Sequence, residues 1–130
     1  MTNAIHPGDI NRTGIEFLVI DAQSKTNTAV NVGDICFFST DGFAPAAAAS
    51  PAPYSVLVSP SVAAVAATQH DIRVLVRGNV TVNKVAGTAV GKGAGVTTTA
   101  TVGSVGAGGI LVGMATRAAL AADLMVQILL

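Results

Sequence analysis

Charge is the first thing this chain is short of. Only 11% of its 130 residues are charged, against about 25% in an average soluble domain. Seven basic residues balance seven acidic ones, so no net field steers the chain toward nucleic acid or anionic lipid, and neither is expected as a partner. Tryptophan is absent, and one Tyr and four Phe bring aromatics to 4%. That leaves little for the aromatic platforms of a glycan binder, and the core must be built from Val, Ile, Leu and Ala. Cys36 is the single cysteine, which excludes an intrachain disulfide and fits assembly in a reducing cytoplasm. Its expected role is that of a small buried hydrophobe. Long apolar runs are missing too: none approaches the roughly 18 to 20 residues of a spanning helix. The opening Met1-Thr2-Asn3-Ala4-Ile5-His6-Pro7 lacks the basic and apolar regions of a signal peptide.

What remains is apolar and β-forming. Hydrophobic residues make up 51% of the chain and mean hydropathy is +0.62, more than a lone small monomer covers with polar surface. Much of the surface is therefore expected to face other protein. From Ile72 to Val82, Ile72, Val74, Val76, Val80 and Val82 recur at every second residue, with Gly78 in the vacant place. Arg73, Arg77, Asn79 and Thr81 hold the other parity, interrupted by Leu75. Alternation of this kind makes a strand with one apolar face. A mid-strand glycine predicts a bulge or sharp bend, so one long bent strand is expected here.

The rest of the chain reads as further strands. Residues 1–13 are polar with a Pro7-Gly8 turn and are expected to form an extended arm whose removal leaves the fold nearly intact. Residues 14–130 read as a single β domain. Within it, strands are predicted over 14–20, 35–38, 54–58, 110–116 and 124–130, with a hairpin-type turn at Asp41-Gly42. The Ala/Pro-rich segment 43–53 reads as a surface loop. Ser61 is a candidate cap for one helical turn through Ala67. Residues 88–109, rich in Gly, Thr and Val, read as short strands with wide turns. Thr28-Ala29-Val30 with Gly33 recurs as Thr88-Ala89-Val90 with Gly93, sixty residues on, which raises a duplicated strand-turn-strand unit.

Reactive constellations are sparse. His6 and His70 are the only histidines. His70-Asp71 is half of a metal or acid–base pair, whereas a zinc site needs three or four ligands, so an exposed His beside a strand is the plainer reading. Gly91-Lys92-Gly93-Ala94-Gly95 looks like a phosphate loop but lacks the Ser or Thr after the lysine and a following helix. Lys84, at a hairpin tip, resembles the carrier lysine of lipoyl domains without the neighbours of that motif. The serines lack a G-x-S-x-G elbow. Arg73 and Arg77 with Asn79 and Thr81 make either a patch for an acidic partner or a solvated strand face. No catalytic residue, cofactor, metal or small-molecule substrate is expected, and the chain reads as a non-enzyme.

A family resemblance rests on the run R-V-L-V-R-G-N-V-T-V, a Gly/Ala/Thr region, and then G-I-L-V-G-M-A-T-R-A-A-L-A-A-D-L-M-V-Q-I-L-L. This pattern resembles the capsid decoration (cement) proteins of tailed bacteriophages and viruses. The "V-x-V-x-G-x-V" strand of that family maps onto Val74–Val80. Its "hydrophobic-Gly-hydrophobic-Ala" strand maps onto Leu111–Ala115, its turn onto Ala121–Asp123, and its terminal strand onto Val126–Leu130. The family's G-D-x-V is replaced here by Gly93-Ala94-Gly95-Val96, and Gly33-Asp34-Ile35 fits that pattern better. The resemblance implies an all-β fold, a compact β-barrel or β-tulip-like sandwich with an extended N-terminal arm. It also implies a structural virion protein that binds and stabilises the exterior of an icosahedral capsid, after assembly in the host cytoplasm. Its partners would be the major capsid protein and itself, as a homotrimer. The arm residues Thr2, Asn3, Ile5, His6, Ile10 and Arg12 would contact the capsid. The alternatives are another virion β-module, such as a tail component, or a glycan-binding surface domain.

Overall fold

The computed structural model describes residues 6–12 and 16–130. Among these described residues eleven strands are present: β1 (Ile10–Asn11), β2 (Leu18–Gln23), β3 (Ile35–Ser39), β4 (Gly42–Pro45), β5 (Tyr54–Leu57), β6 (Asp71–Arg77), β7 (Asn79–Asn83), β8 (Gly95–Thr98), β9 (Val105–Gly106), β10 (Leu111–Ala115) and β11 (Met125–Leu129). No helix occurs among the described residues. The fold is all-β, as expected, and sandwich-like: a five-stranded sheet in the order β2-β6-β5-β3-β4 and a six-stranded sheet in the order β1-β7-β11-β10-β8-β9. All strand pairings are antiparallel. Neither sheet closes into a barrel.

The Ile72–Val82 stretch is two strands rather than one. β6 ends at Arg77 in the first sheet and β7 begins at Asn79 in the second. Gly78 makes the crossing at φ +131, and a Cβ there would lie 2.8 Å from Phe17 Cβ. Both the backbone angle and the space demand glycine. Leu75, the residue that breaks the alternation, is explained by burial on both faces of β6. Ile72 and Val74 face a small cluster with Val30, Cys36 and Leu57. Leu75 faces the opposite way, into the main core with Ile35, Val56, Val80, Val82, Val126 and Ile128. That core spans both sheets. Burial of each such side chain contributes about 1.5–3 kcal/mol.

The sixty-residue echo extends to whole units. Without β1, the second sheet has the order β7-β11-β10-β8-β9, which is the order of the first with β2–β6 replaced in turn by β7–β11. Irregular contacts repeat as well. Ser24 and Lys84 form parallel bridges to Phe43 and Val105, while Val30 and Val90 form antiparallel bridges to Val62 and Ala119. Gly33 and Gly93 both sit at φ +85, and their N–H groups donate to Leu57 O (2.8 Å) and Ala115 O (2.7 Å). Hydrogen bonds common to both units pin the connections that follow β2 and β7.

Three expectations are corrected. Residues 43–53 are not all surface loop: Phe43–Pro45 belong to β4, and Ala44 and Ala46 are buried, because alanine's small side chain fits beneath the neighbouring strands. Ser61 caps no helix. Its Oγ accepts from Val32 N–H at 2.8 Å, and Val62 is held in the bridge to Val30. Within the arm, residues 6–11 dock on the sandwich. Ile10 and Asn11 pair with Val80 and Asn79. Gly8 N–H donates to Thr81 O and Thr81 N–H to Asp9 O, and the Ile10 side chain packs against the main core. Removing residues 1–11 is therefore expected to cost at least about 2 kcal/mol, from a half-buried Ile and ladder bonds of about 1 kcal/mol net each. Urea denaturation checks this; an unchanged midpoint would show that β1 contributes nothing.

Candidate interaction surfaces

Two surfaces stand out. The first lies along the arm. His6 and Arg12 are exposed. His6 donates its N–H to Asp9 Oδ2 at 2.9 Å, and its ring lies 3.6 Å from the same carboxylate. The Arg12 guanidinium sits 4.7 Å from the centre of the Phe17 ring, a cation–π contact. Ile10 and Arg12, with Phe17, Val19, Val58 and Arg73, line a groove of about 580 Å³. Of the six residues expected to touch a capsid, Ile10 is half-buried, packing partly against the core while it lines this groove. Thr2, Asn3 and Ile5 lie outside the described residues.

The second surface is the outer face of the six-stranded sheet. Across its strands run Gly95, Met114, Leu129 and Asn79, joined pairwise by register, and beside them Thr97 opposite Leu111. Leu111 is 64% exposed and Met114 44%. The same rows exist in the first unit. There Ile35, Val56, Leu75 and Val19 are joined pairwise in the same way, with Phe37 opposite Tyr54 beside them. That face is buried: Ile35, Val56 and Leu75 are at most 1% exposed and Tyr54 8%. The lining of an adjacent groove of about 640 Å³ includes Lys92, Thr116, Arg117, Met125 and Gln127. Thr116 donates to Asn79 Oδ1 at 2.9 Å.

No family model, no curated protein and no solved structure matches this chain. The surfaces must be judged on their chemistry alone.

The residues singled out for chemistry are scattered and engaged. Lys84 is only 2% exposed, not at an open hairpin tip, and its Nζ donates to Val85 O, Leu120 O and Asp123 O at 2.9–3.2 Å. It ties the end of β7 to the turn before β11, which no attached-cofactor lysine can do. In the Gly91–Gly95 loop the Gly93 N–H donates to Ala115 O and the Ala94 N–H to Gly91 O, so neither amide points at a phosphate. His70 Nε2 lies 2.9 Å from Ala63 O. No group of three His, Cys, Asp or Glu side chains able to hold a metal occurs among the described residues. The proposed Arg73–Thr81 face does not exist as one patch. Arg73 stands 3.4 Å from the Asp21 carboxylate, while Asn79 and Thr81 are buried in the other sheet. Cys36 is fully buried, and burial pushes its thiol far above its ordinary pKa, so it behaves as the hydrophobe expected.

Asp34 is the buried charge that the sequence did not single out. Its carboxylate accepts from Asn31 N–H (2.9 Å) and Asn83 Nδ2 (2.9 Å), and Gly103 approaches so closely that a Cβ would strike it. Asn83 Nδ2 also donates to Val32 O, so this polar knot joins the two units. Desolvation raises the Asp34 pKa above its ordinary 3.8 despite those bonds.

Two outcomes are expected. Lys84→Met removes the Nζ that holds three carbonyls and should cost about 1–3 kcal/mol, read as a lower urea midpoint with unchanged circular dichroism; an unaltered midpoint would show the cage to be dispensable. For Asp34, the raised folded-state pKa means that its contribution is fully present below 3.8 and is lost as pH rises through the folded value. Stability measured against Asp34→Asn from about pH 3 to about pH 7 should therefore decline in the wild type relative to the variant. A parallel pair of curves would contradict the assignment.

Proposed function

We propose that this chain is a capsid decoration protein, a structural component that binds the outside of an icosahedral shell and reinforces it. The observation that carries the reading is a surface built for contact. The chain has 11% charged residues, yet eleven large hydrophobic side chains are exposed among the described residues. Apolar side chains left exposed in this number suit a molecule whose work is to cover and be covered.

The sequence pattern that resembles the decoration family supports the same reading where it falls on the fold. Val74–Val80 crosses from β6 to β7 through Gly78, Leu111–Ala115 is β10, and Val126–Leu130 includes β11 to Leu129. In this reading the major capsid protein is the partner, the assembled form is a homotrimer, and the segment ahead of β1, with His6, reaches the shell together with Arg12, which follows β1. Extended segments bind by adding main-chain hydrogen bonds to an exposed sheet edge. Ile10, partly packed on the protein's own core, also lines the groove beside Arg12 and stays among the proposed contacts.

The test uses purified virus particles from the source that encodes the chain. Mass spectrometry should find the protein in a fixed ratio to the major capsid protein. Recombinant protein mixed with undecorated capsids should co-sediment and saturate. A chain lacking residues 2–5 should bind at least tenfold more weakly, about 1.4 kcal/mol. Absence from particles together with no co-sedimentation overturns the function; equal occupancy by the truncated chain overturns the role of the arm.

A further inference from the structure

We infer that the groove just past β10, with Lys92 and Arg117 in its walls, is a docking site for an extended acidic segment of another protein. The inference does not depend on the capsid reading. It follows from what fills the matching place in the first unit and from the charges of the groove itself.

The two units match bond by bond at this place. Gly33 N–H donates to Leu57 O and Gly93 N–H to Ala115 O. Val58 N–H donates to Arg73 O at 3.0 Å, and Thr116 N–H to Gln127 O at 2.9 Å. Val32 therefore corresponds to Lys92, Val58 to Thr116, Ser59 to Arg117 and Arg73 to Gln127. In the first unit the chain's own arm occupies the place. A Cβ on Gly8 would lie 2.7 Å from Val32 Cγ2, 3.2 Å from Leu57 O and 3.5 Å from Val58 Cα, and a Cβ on Gly33 would strike Pro7. Pro7 and Gly8 thus lie directly against Val32, Gly33, Leu57 and Val58. In the second unit the same place is the groove of about 640 Å³ whose lining includes Lys92, Thr116, Arg117 and Gln127. A Cβ on Gly93 would meet nothing within 4 Å among the described residues. The backbone frame that seats an extended segment is present twice and filled, among the described residues, once.

Charge identifies the occupant. Val32 and Ser59 are neutral where Lys92 and Arg117 are cationic. Both cations are exposed, and neither side chain has a hydrogen-bond or ion-pair partner among the described residues. The acid in the lining is Asp123, whose Oδ2 already accepts from Leu120 N–H at 2.8 Å. The groove is left with one positive charge in excess and an apolar wall from Leu124, which is 63% exposed. Carboxylates suit both cations, and a guanidinium takes a carboxylate through two parallel N–H bonds. The chain cannot supply this segment itself. Pro7 and Gly8 are seated on the first unit of their own copy, and residues 1–5 contain no acidic side chain. The occupant is a different protein.

Nuclear magnetic resonance titration of the isotope-labelled free protein tests the inference. The probe is the synthetic peptide D-P-G-D-E, with K-P-G-K-K as its control. The acidic peptide should bind saturably by millimolar concentration and move the amide signals of Lys92, Gly93, Thr116 and Arg117; the basic peptide should not. Lys92→Glu combined with Arg117→Glu should weaken binding of the acidic peptide at least tenfold, about 1.4 kcal/mol, and admit the basic one. Ala118→Tyr, in the groove lining, should block the acidic peptide without a change of charge. Arg77→Glu, the same reversal at an exposed site on β6, should bind as the wild type does. Circular dichroism and the urea midpoint should be unchanged in every variant. No saturable shift, shifts centred on other amides, or a double variant that binds as the wild type does overturns the inference. An equal loss in Arg77→Glu overturns it too, since the attraction would then be general. Sedimentation velocity covers the remaining occupant: association of the free protein that the double variant abolishes would make the occupant a second copy and overturn the assignment.

Discussion

Everything in this molecule depends on covering the apolar row Ile35–Val56–Leu75. The first sheet is apolar on both sides, with Ile72, Val74, Leu57 and Cys36 on one and this row on the other. Its own loops cover the first side through Val30 and Val62. The second side is left for the other unit, and the chain reaches it by the shortest possible route, a single glycine between β6 and β7. So short a connection can reverse no direction and span no gap. It works because Gly78 takes a backbone angle closed to other residues and lets Phe17 pass against it.

The polar groups that join the units follow from the same constraint. Asp34, at the start of β3, and Asn83, at the end of β7, meet where the two sheets come together, and the Asn31 and Val32 backbone completes the knot. A carboxylate here is costly to desolvate, and its raised pKa records that cost. What it supplies in return is register, since Asn83 finds both partners only when the units are correctly seated. Lys84, the next residue, acts within the second unit, holding the end of β7 to the turn before β11 through three carbonyls. Its counterpart in the first unit, Ser24, accomplishes less with a short hydroxyl, accepting from His70 N–H at 2.9 Å.

The strands were legible in the sequence wherever period-two alternation or turn chemistry was strong: β3, β5, β10 and β11 lie where those signals put them, and the Asp41-Gly42 turn closes β3 on β4. The change of sheet at Gly78 was not legible, because a bend within a strand and a crossing between sheets leave the same mark. Leu75 was the available clue, as the one apolar residue on the wrong parity. The strand within the arm was missed because two residues, Ile10 and Asn11, show no period. The duplication was visible only as four matching residues, since the units share hydrogen-bond geometry rather than side chains. Of the candidate surfaces, the sheet face could not be read at all: Leu111 and Met114 look like core residues until the fold shows which side of β10 is covered.

The order of the units along the chain gives the uncovered row a history. The first sheet is complete once β6 has been made and has inserted between β2 and β5. At that moment Ile35, Val56 and Leu75 face water, because the strands that will cover them are still to be synthesised. At about 5–20 residues per second, synthesis from the end of β6 at Arg77 to the end of β11 at Leu129 takes roughly three to ten seconds. For that interval the nascent chain carries on its first sheet the bare strip that the finished molecule carries on its second. A half-made chain and a finished one therefore display matching surfaces, and on a crowded polysome each is a possible mistaken partner for the other.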